Sequence, residues 1–186
     1  LGQRVTINRE KWTVTVDQEQ FCLLLIAKFK PFLEQEFGLA NGKLKRVATP
    51  AIPGQVMSKD AGPQTKEEQK EMDLLPYMSL VGGLLYLANN TRVDILTATS
   101  NCSKFMSNYG REMWIAALRI LLYLTNEPGR SVTHRDVGPE RNLRIDAEAD
   151  CSFADCPDTA RSRYGVFIYC NEAFIHAKTG ILKNVR

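Results

Sequence analysis

The chain has 186 residues, 44% of them hydrophobic and 24% charged, which suits a globular protein with one good core or two small ones. A net charge of +3 permits contact with phosphate without demanding it. Five scattered cysteines, an odd number, do not make a disulfide framework and point to a reducing compartment. No apolar run reaches the roughly 20 residues of a membrane helix, and the opening residues lack a signal-peptide pattern.

The first residues alternate. "RVTIN" sets Val5 and Ile7 on one face, and "WTVTV" does the same with Trp12, Val14 and Val16, so a β-hairpin is expected. Asp17 with Gln20 resembles a capping box before a helical stripe of Phe21, Leu24, Leu25, Phe29, Phe32 and Leu33. Pro31 should break or kink that helix, and Gly38 fits its end. Residues 38–70 lose periodicity to glycine, proline and charge and read as a linker or extended surface segment.

Pro76 suits the first turn of a second helix, whose broad apolar face is Leu80, Val81, Leu84, Leu85, Leu87 and Ala88. Gly82 and Gly83 inside it each cost about 1 kcal/mol in propensity, so a close helix contact is expected there. Ile95, Thr99, Cys102 and Phe105 or Met106 form a third stripe. Met113, Ala117, Ile120, Leu121 and Leu124 form a fourth. These last three helices should pack as a small bundle. After a second break at "NEPGRSVTHRDVGPERN" the period returns to two. "LRIDAEAD", "RYGVFIYC" and "AFIHAK" then read as a β-meander.

The chemistry concentrates in "EADCSFADCPDTARSRYG". Asp146, Glu148 and Asp150 alternate on the first strand of the meander and share one face. Such a face is either a solvated acidic surface or the start of a Mg²⁺ site, since hard cations prefer carboxylate oxygens. Two ions roughly 4 Å apart could activate water for nuclease chemistry. A zinc site is not expected: Cys151 and Cys156 lack short paired spacing, Cys170 and His176 stand apart, and Cys151 points away from Asp150. The cysteines read as small buried hydrophobes. Arg161 and Arg163 read as screening charges for the acidic turn.

The central segment "PYMSLVGGLLYLANNTRVDILTATSNCSKFMSNYGREMWIAALRILLYL" resembles the region after the polymerase core in copia-type retrotransposon polyproteins. Tyr77, Leu80, Val81, Gly82, Leu84, Leu85, Tyr86, Leu87, Thr91, Arg92, Asp94, Ile95, Trp114, Ala117, Arg119, Tyr123 and Leu124 follow the family pattern, and Val93 replaces its proline. "LGQRVTI", "VDQEQF" and "VATP" are similar to upstream landmarks. "DCSFADCPDT" with Arg161, Ser162, Gly165 and Val166 resembles the start of the family's ribonuclease H domain. Ala160 and Ala177 depart from it, where the family has arginine and tryptophan.

The resemblance implies an α+β chain in parts. Residues 1–50 would end a reverse transcriptase palm, with a linker at 51–75 and a thumb or connection bundle at 76–126. A second linker would fill 127–142, and a truncated ribonuclease H-like domain 143–186. It implies that Asp150 is the first ribonuclease H carboxylate, catalytic and Mg²⁺-binding, with Asp146 and Glu148 as uncertain supplements. It places the polymerase aspartate pair before Leu1 and the later nuclease carboxylates after Arg186, so neither activity is expected from this chain alone. Implied partners are an RNA–DNA hybrid or duplex and the rest of the Pol polyprotein, with no membrane. The implied location is a cytoplasmic particle or the nucleus. Two alternatives stand beside this: a non-enzymatic nucleic-acid-binding module using Lys43, Lys45, Arg46, Lys104, Arg111 and Arg119, or a pseudogene product with unpaired sheet edges.

Overall fold

Alternation at the start of the chain builds an antiparallel hairpin of β1 (Arg4–Asn8) and β2 (Thr13–Asp17), with Val5 opposite Val16 and Ile7 opposite Val14. The Asn8 side chain fixes the turn by accepting from the N–H groups of Glu10 and Lys11. The computed structural model describes residues 2–135, 144–171 and 173–183. A strand at Val132–Arg135 (β5 in chain order) pairs with the other edge of β2, and the Thr15 and Thr133 hydroxyls meet at 2.9 Å. This strand lies within the stretch read as a linker over 127–142. Residues 136–143 of that stretch lie outside the described residues.

α1 (Glu19–Phe37) starts without the expected capping box. Asp17 accepts from the Glu19 N–H at 3.2 Å, and its other carboxylate oxygen is held by Arg4 at 2.8 Å. Nor does Pro31 break the helix. Cys22, Leu25, Phe29 and Leu33 are buried on either side of it. Their packing outweighs the roughly 3 kcal/mol that an interior proline costs. Gly38, at φ 65°, ends the helix by donating its N–H to the Glu34 carbonyl.

The segment at 38–70 holds more order than its composition promises. Asn41 and Gly42, at φ 52° and 72°, turn β3 (Leu39–Ala40) onto β4 (Lys43–Leu44). A 3₁₀ turn covers Lys59–Ala61, and α2 (Lys66–Asp73) begins at Thr65, whose hydroxyl accepts from the Glu68 N–H.

The expected helices form as α3 (Tyr77–Ala88), α4 (Leu96–Ser103, after a 3₁₀ turn at Val93–Ile95) and α5 (Arg111–Leu124). Leu80, Leu84, Ile95, Thr99, Met113 and Leu121 are wholly buried, as their stripes require. α1 joins them: fully buried Trp114 of α5 meets Phe32 edge-on at 5.2 Å and Phe29 at 6.4 Å. A Cβ added at Gly83 would lie 2.8 Å from Leu25, so α1 and α3 touch where the glycine pair predicted a close contact. Gly82 faces open space and takes no part in it.

The chain then forms the expected meander, β6 (Ile145–Ser152), β7 (Arg163–Cys170) and β8 (Ala173–Ile181), antiparallel in that order. Ala177 of β8 is buried in the helical core, which seats the sheet. The architecture is thus α+β. No helix among the described residues is long and apolar enough to cross a membrane.

Candidate functional site

Strand alternation decides where the acidic residues go. Asp146, Glu148 and Asp150 stand opposite Tyr169, Phe167 and Gly165 of β7, on one face of the sheet. That face borders a groove of about 670 Å³ whose other walls are residues 54–57 and Thr97, Asn101 and Lys104 on and just after α4. Asp150 is exposed beside Gly165, whose missing side chain leaves open space. One of its oxygens accepts from the Cys151 N–H at 2.8 Å.

The three carboxylates do not gather. They repeat about every 7 Å along the strand, whereas oxygens sharing a Mg²⁺ ion sit about 2 Å from it. Asp146 is held by Arg144 at 2.9 Å. Among the described residues no three His, Cys, Asp or Glu side chains come together as metal ligands. The side chains described here therefore do not fit a two-metal centre, and Asp150 could offer at most one ligand.

The neighbouring loop is better organised than the strand. Arg163 donates to Asp155 at 3.2 Å and also to the Asn101 side chain on α4, so it screens the acidic turn and ties it to the helix. The Ser58 hydroxyl donates to Asp158 at 2.6 Å and the Lys59 N–H at 3.2 Å. Hydrogen bonding from Ser58, then from Lys59, holds the Asp158 carboxyl below the usual carboxylate range. Burial alone would raise Asp155, but hydrogen bonds from Ser152 and Arg163 and the nearby cations bring it below that range as well. Burial and the adjacent Arg163 guanidinium pull the Lys104 ammonium down. The Cys156 thiol is lowered, first by its hydrogen bond with Thr159. Cys22, Cys102 and Cys156 are buried as small hydrophobes, but Cys151 is exposed, against expectation, because its strand face is uncovered.

The groove carries Glu148, Asp150, Asp155 and Asp158 against Lys104 and Arg163. It therefore favours a cation and repels a phosphate chain.

The candidate basic residues are dispersed. Lys104 faces this groove. Arg111 is paired with Glu36, and Arg119 donates to Thr49 at 3.3 Å while its Nε is buried without a partner. Lys43, Lys45 and Arg46 lie together on and after β4.

Several residues that carried the family resemblance prove to be struts. Arg92, 2% exposed, makes a forked pair with Asp94 at 3.0 and 2.8 Å and donates to the Glu127 carbonyl at 2.9 Å. Burial would raise the Asp94 carboxyl, but the Arg92 hydrogen bond and charge hold it low. Thr91 donates to the buried Gln18 side chain at 2.7 Å, tying the start of α1 to the α3–α4 corner. Sequence reading singled out these positions without finding that role, since it depends on partners 73 residues away for Thr91 and 35 for Arg92. It also missed Asn101, Ser58 and Lys59, which fasten the acidic turn.

No protein-family model matches the chain, and no solved structure matches it. Among curated proteins it is similar to the retrovirus-related Pol polyprotein from transposon TNT 1-94 of Nicotiana tabacum. Identity is 33% over 129 residues, which is 69% of this chain and 9% of that polyprotein. The chain thus spans less than a tenth of its relative's length, and the similarity supports a fragment of a retrotransposon Pol polyprotein.

Proposed function

We propose that the chain is the part of a copia-type Pol polyprotein that joins a reverse transcriptase to a ribonuclease H. In this reading residues 1–50 close the polymerase palm, 76–126 are thumb or connection helices, and 143–186 open the nuclease domain. The parent would copy RNA into DNA and hydrolyse the RNA strand of the hybrid, with Mg²⁺ at both centres. Asp150 would be the first nuclease ligand.

The observation that carries this reading is the placing of Asp150. It stands on the first strand of an antiparallel meander, beside a residue without a side chain, at the mouth of a cation-favouring groove. The same geometry argues that this chain cannot cleave by itself, because Asp146 and Glu148 do not converge on Asp150. The test is hydrolysis of an RNA–DNA hybrid with Mg²⁺. The reading expects none; cleavage abolished by Asp150→Asn would refute the expected inactivity while supporting Asp150 as a nuclease ligand, and cleavage unchanged in that variant would refute the role given to Asp150.

A second reading is a non-enzymatic module that holds nucleic acid. The cluster of Lys43, Lys45 and Arg46, well away from the acidic groove, favours it. Affinity for a duplex that falls steeply with salt is expected. No binding at low salt would reject it.

A further inference from the structure

Strand β1 is an open edge. Among the described residues it pairs with β2 alone, and each of its own residues is exposed. Alternation gives its sheet two unlike faces. One face carries Val5 and Ile7 of β1, Val14 and Val16 of β2, and Val132 and His134 of β5. The other carries Arg4, Thr6, Thr15 and Thr133. Val5 is 59% exposed and Ile7 66%, so the apolar face is uncovered along β1. Open edges are usually blunted by lysine, proline or a bulge. β1 reads Arg-Val-Thr-Ile-Asn, with neither residue, and its register to β2 runs without a shift.

The strand's own sequence selects what pairs with it. A two-fold axis normal to the sheet keeps apolar face beside apolar face only where a residue of β1 meets its own copy. Of these registers, the one centred on Thr6 uses the whole strand, Arg4–Asn8. It sets Val5 opposite the second copy's Ile7 and Arg4 opposite its Asn8, so no like charges face each other. Rows already present are then lengthened. Val5 lies opposite Val16, and Val16 opposite Val132; the second copy's Ile7 extends that row. Thr6 lies opposite Thr15, whose hydroxyl meets that of Thr133 at 2.9 Å; the second Thr6 extends that one. The ends match in charge as well. The hairpin turn holds Arg9 and Lys11 with Glu10, and the root holds Asp17 and Glu19 with Arg4. Antiparallel pairing brings the cationic turn of one copy beside the anionic root of the other.

We propose that two copies of this chain join edge to edge through β1, fusing their three-stranded sheets into one. The contact is the same patch on both copies, so it closes at a dimer. It shares no residue with the groove at Asp150.

The test is sedimentation velocity of the whole chain at rising micromolar concentrations, where a monomer–dimer equilibrium is expected. Ile7→Lys puts a charge into both apolar rows and should raise the dimer dissociation constant at least about tenfold, with Tm unchanged. Leu74→Lys, the same change at a residue 83% exposed before α3, should alter it less than about threefold. Cross-linking reads the register. Cys151→Ser removes the one exposed native thiol among the described residues. In that background Thr6→Cys should give a disulfide-linked dimer under oxidised glutathione, and Thr15→Cys, one strand inward, should not. A chain that stays monomeric at every concentration would overturn the proposal. So would a dimer indifferent to Ile7→Lys, or one weakened equally by Leu74→Lys. Growth beyond the dimer would overturn it too, since that needs a head-to-tail contact. If Ile7→Lys lowers Tm, the cross-linking pair decides: equal cross-linking at positions 6 and 15 would reject the β1 contact.

Discussion

The helical half and the C-terminal sheet solve the burial problem differently. Phe29, Leu84, Trp114 and Leu121 are wholly buried among α1, α3 and α5, where Arg92 and Tyr77 find hydrogen-bond partners although Thr99 Oγ1 and Trp114 Nε1 do not. In the sheet every described residue of β6 except Asp146 is exposed, and Phe167 is still 37% exposed. The sheet is held to the rest through Ala177 and the ties of Arg163 and Asp158. A helix stripe carries its own core with it. A sheet with an uncovered face must borrow one, and here it borrows from α4.

That contrast can be tested by substitution. The largest effect belongs to the helical core: Trp114→Ala should cost about 3–5 kcal/mol, whereas Phe167→Ala should cost about 1 kcal/mol, as read from urea unfolding. Similar losses at both positions would erase the distinction. Next is the strut at Arg92. Arg92→Ala leaves the Asp94 carboxylate only its longer pair with Arg130 at 3.3 Å and removes the donor to the Glu127 carbonyl, and should cost about 3 kcal/mol, read the same way.

The glycine pair of α3 gives a smaller effect with two signs. Gly83→Val must displace Leu25 and should destabilise by about 1–3 kcal/mol. Gly82→Ala meets nothing within 4 Å and should stabilise by up to about 1 kcal/mol, seen as a raised Tm.

The smallest effect concerns the ties of the sheet. Asp155 and Asp158 have lowered pKa values in the folded chain. Their contribution is present above the unfolded carboxylate value, near 3.9, and fades as pH falls through the folded values. Asp158→Asn should therefore lower the urea midpoint slightly at pH 6, and the gap from the unaltered chain should close towards pH 3. A gap that widens on acidification would show that the Ser58 and Lys59 contacts do not hold the turn.

Strong periodicity made the hairpin, the long helices and the meander legible in the sequence. Leu80, Leu84, Met113 and Ala117 are buried where the 3.6 period put them. What was missed had other causes. β5 has four residues, and its partner strand lies 118 positions away at Thr15–Thr133, so no local pattern could reveal it. The β3–β4 hairpin and α2 did carry signals, in Asn41–Gly42 and in Thr65 with Glu68, but a charge-rich, proline-rich setting masked them. Pro31 misled because tertiary packing overrides local propensity. At the candidate site, alternation correctly put three carboxylates on one face. It could not show that Asp146 is spoken for by Arg144, nor that the turn is fastened by Asn101 and Ser58.

The proposal tested most directly is that Asp150 belongs to a nuclease site whose other ligands do not converge on it among the described residues. The direct measurement is incubation of the whole purified chain with an end-labelled RNA–DNA hybrid and Mg²⁺, beside its Asp150→Asn variant and an EDTA control. The account predicts no cleavage above background in any of the three. Cleavage that needs Mg²⁺ and disappears in the variant would contradict it.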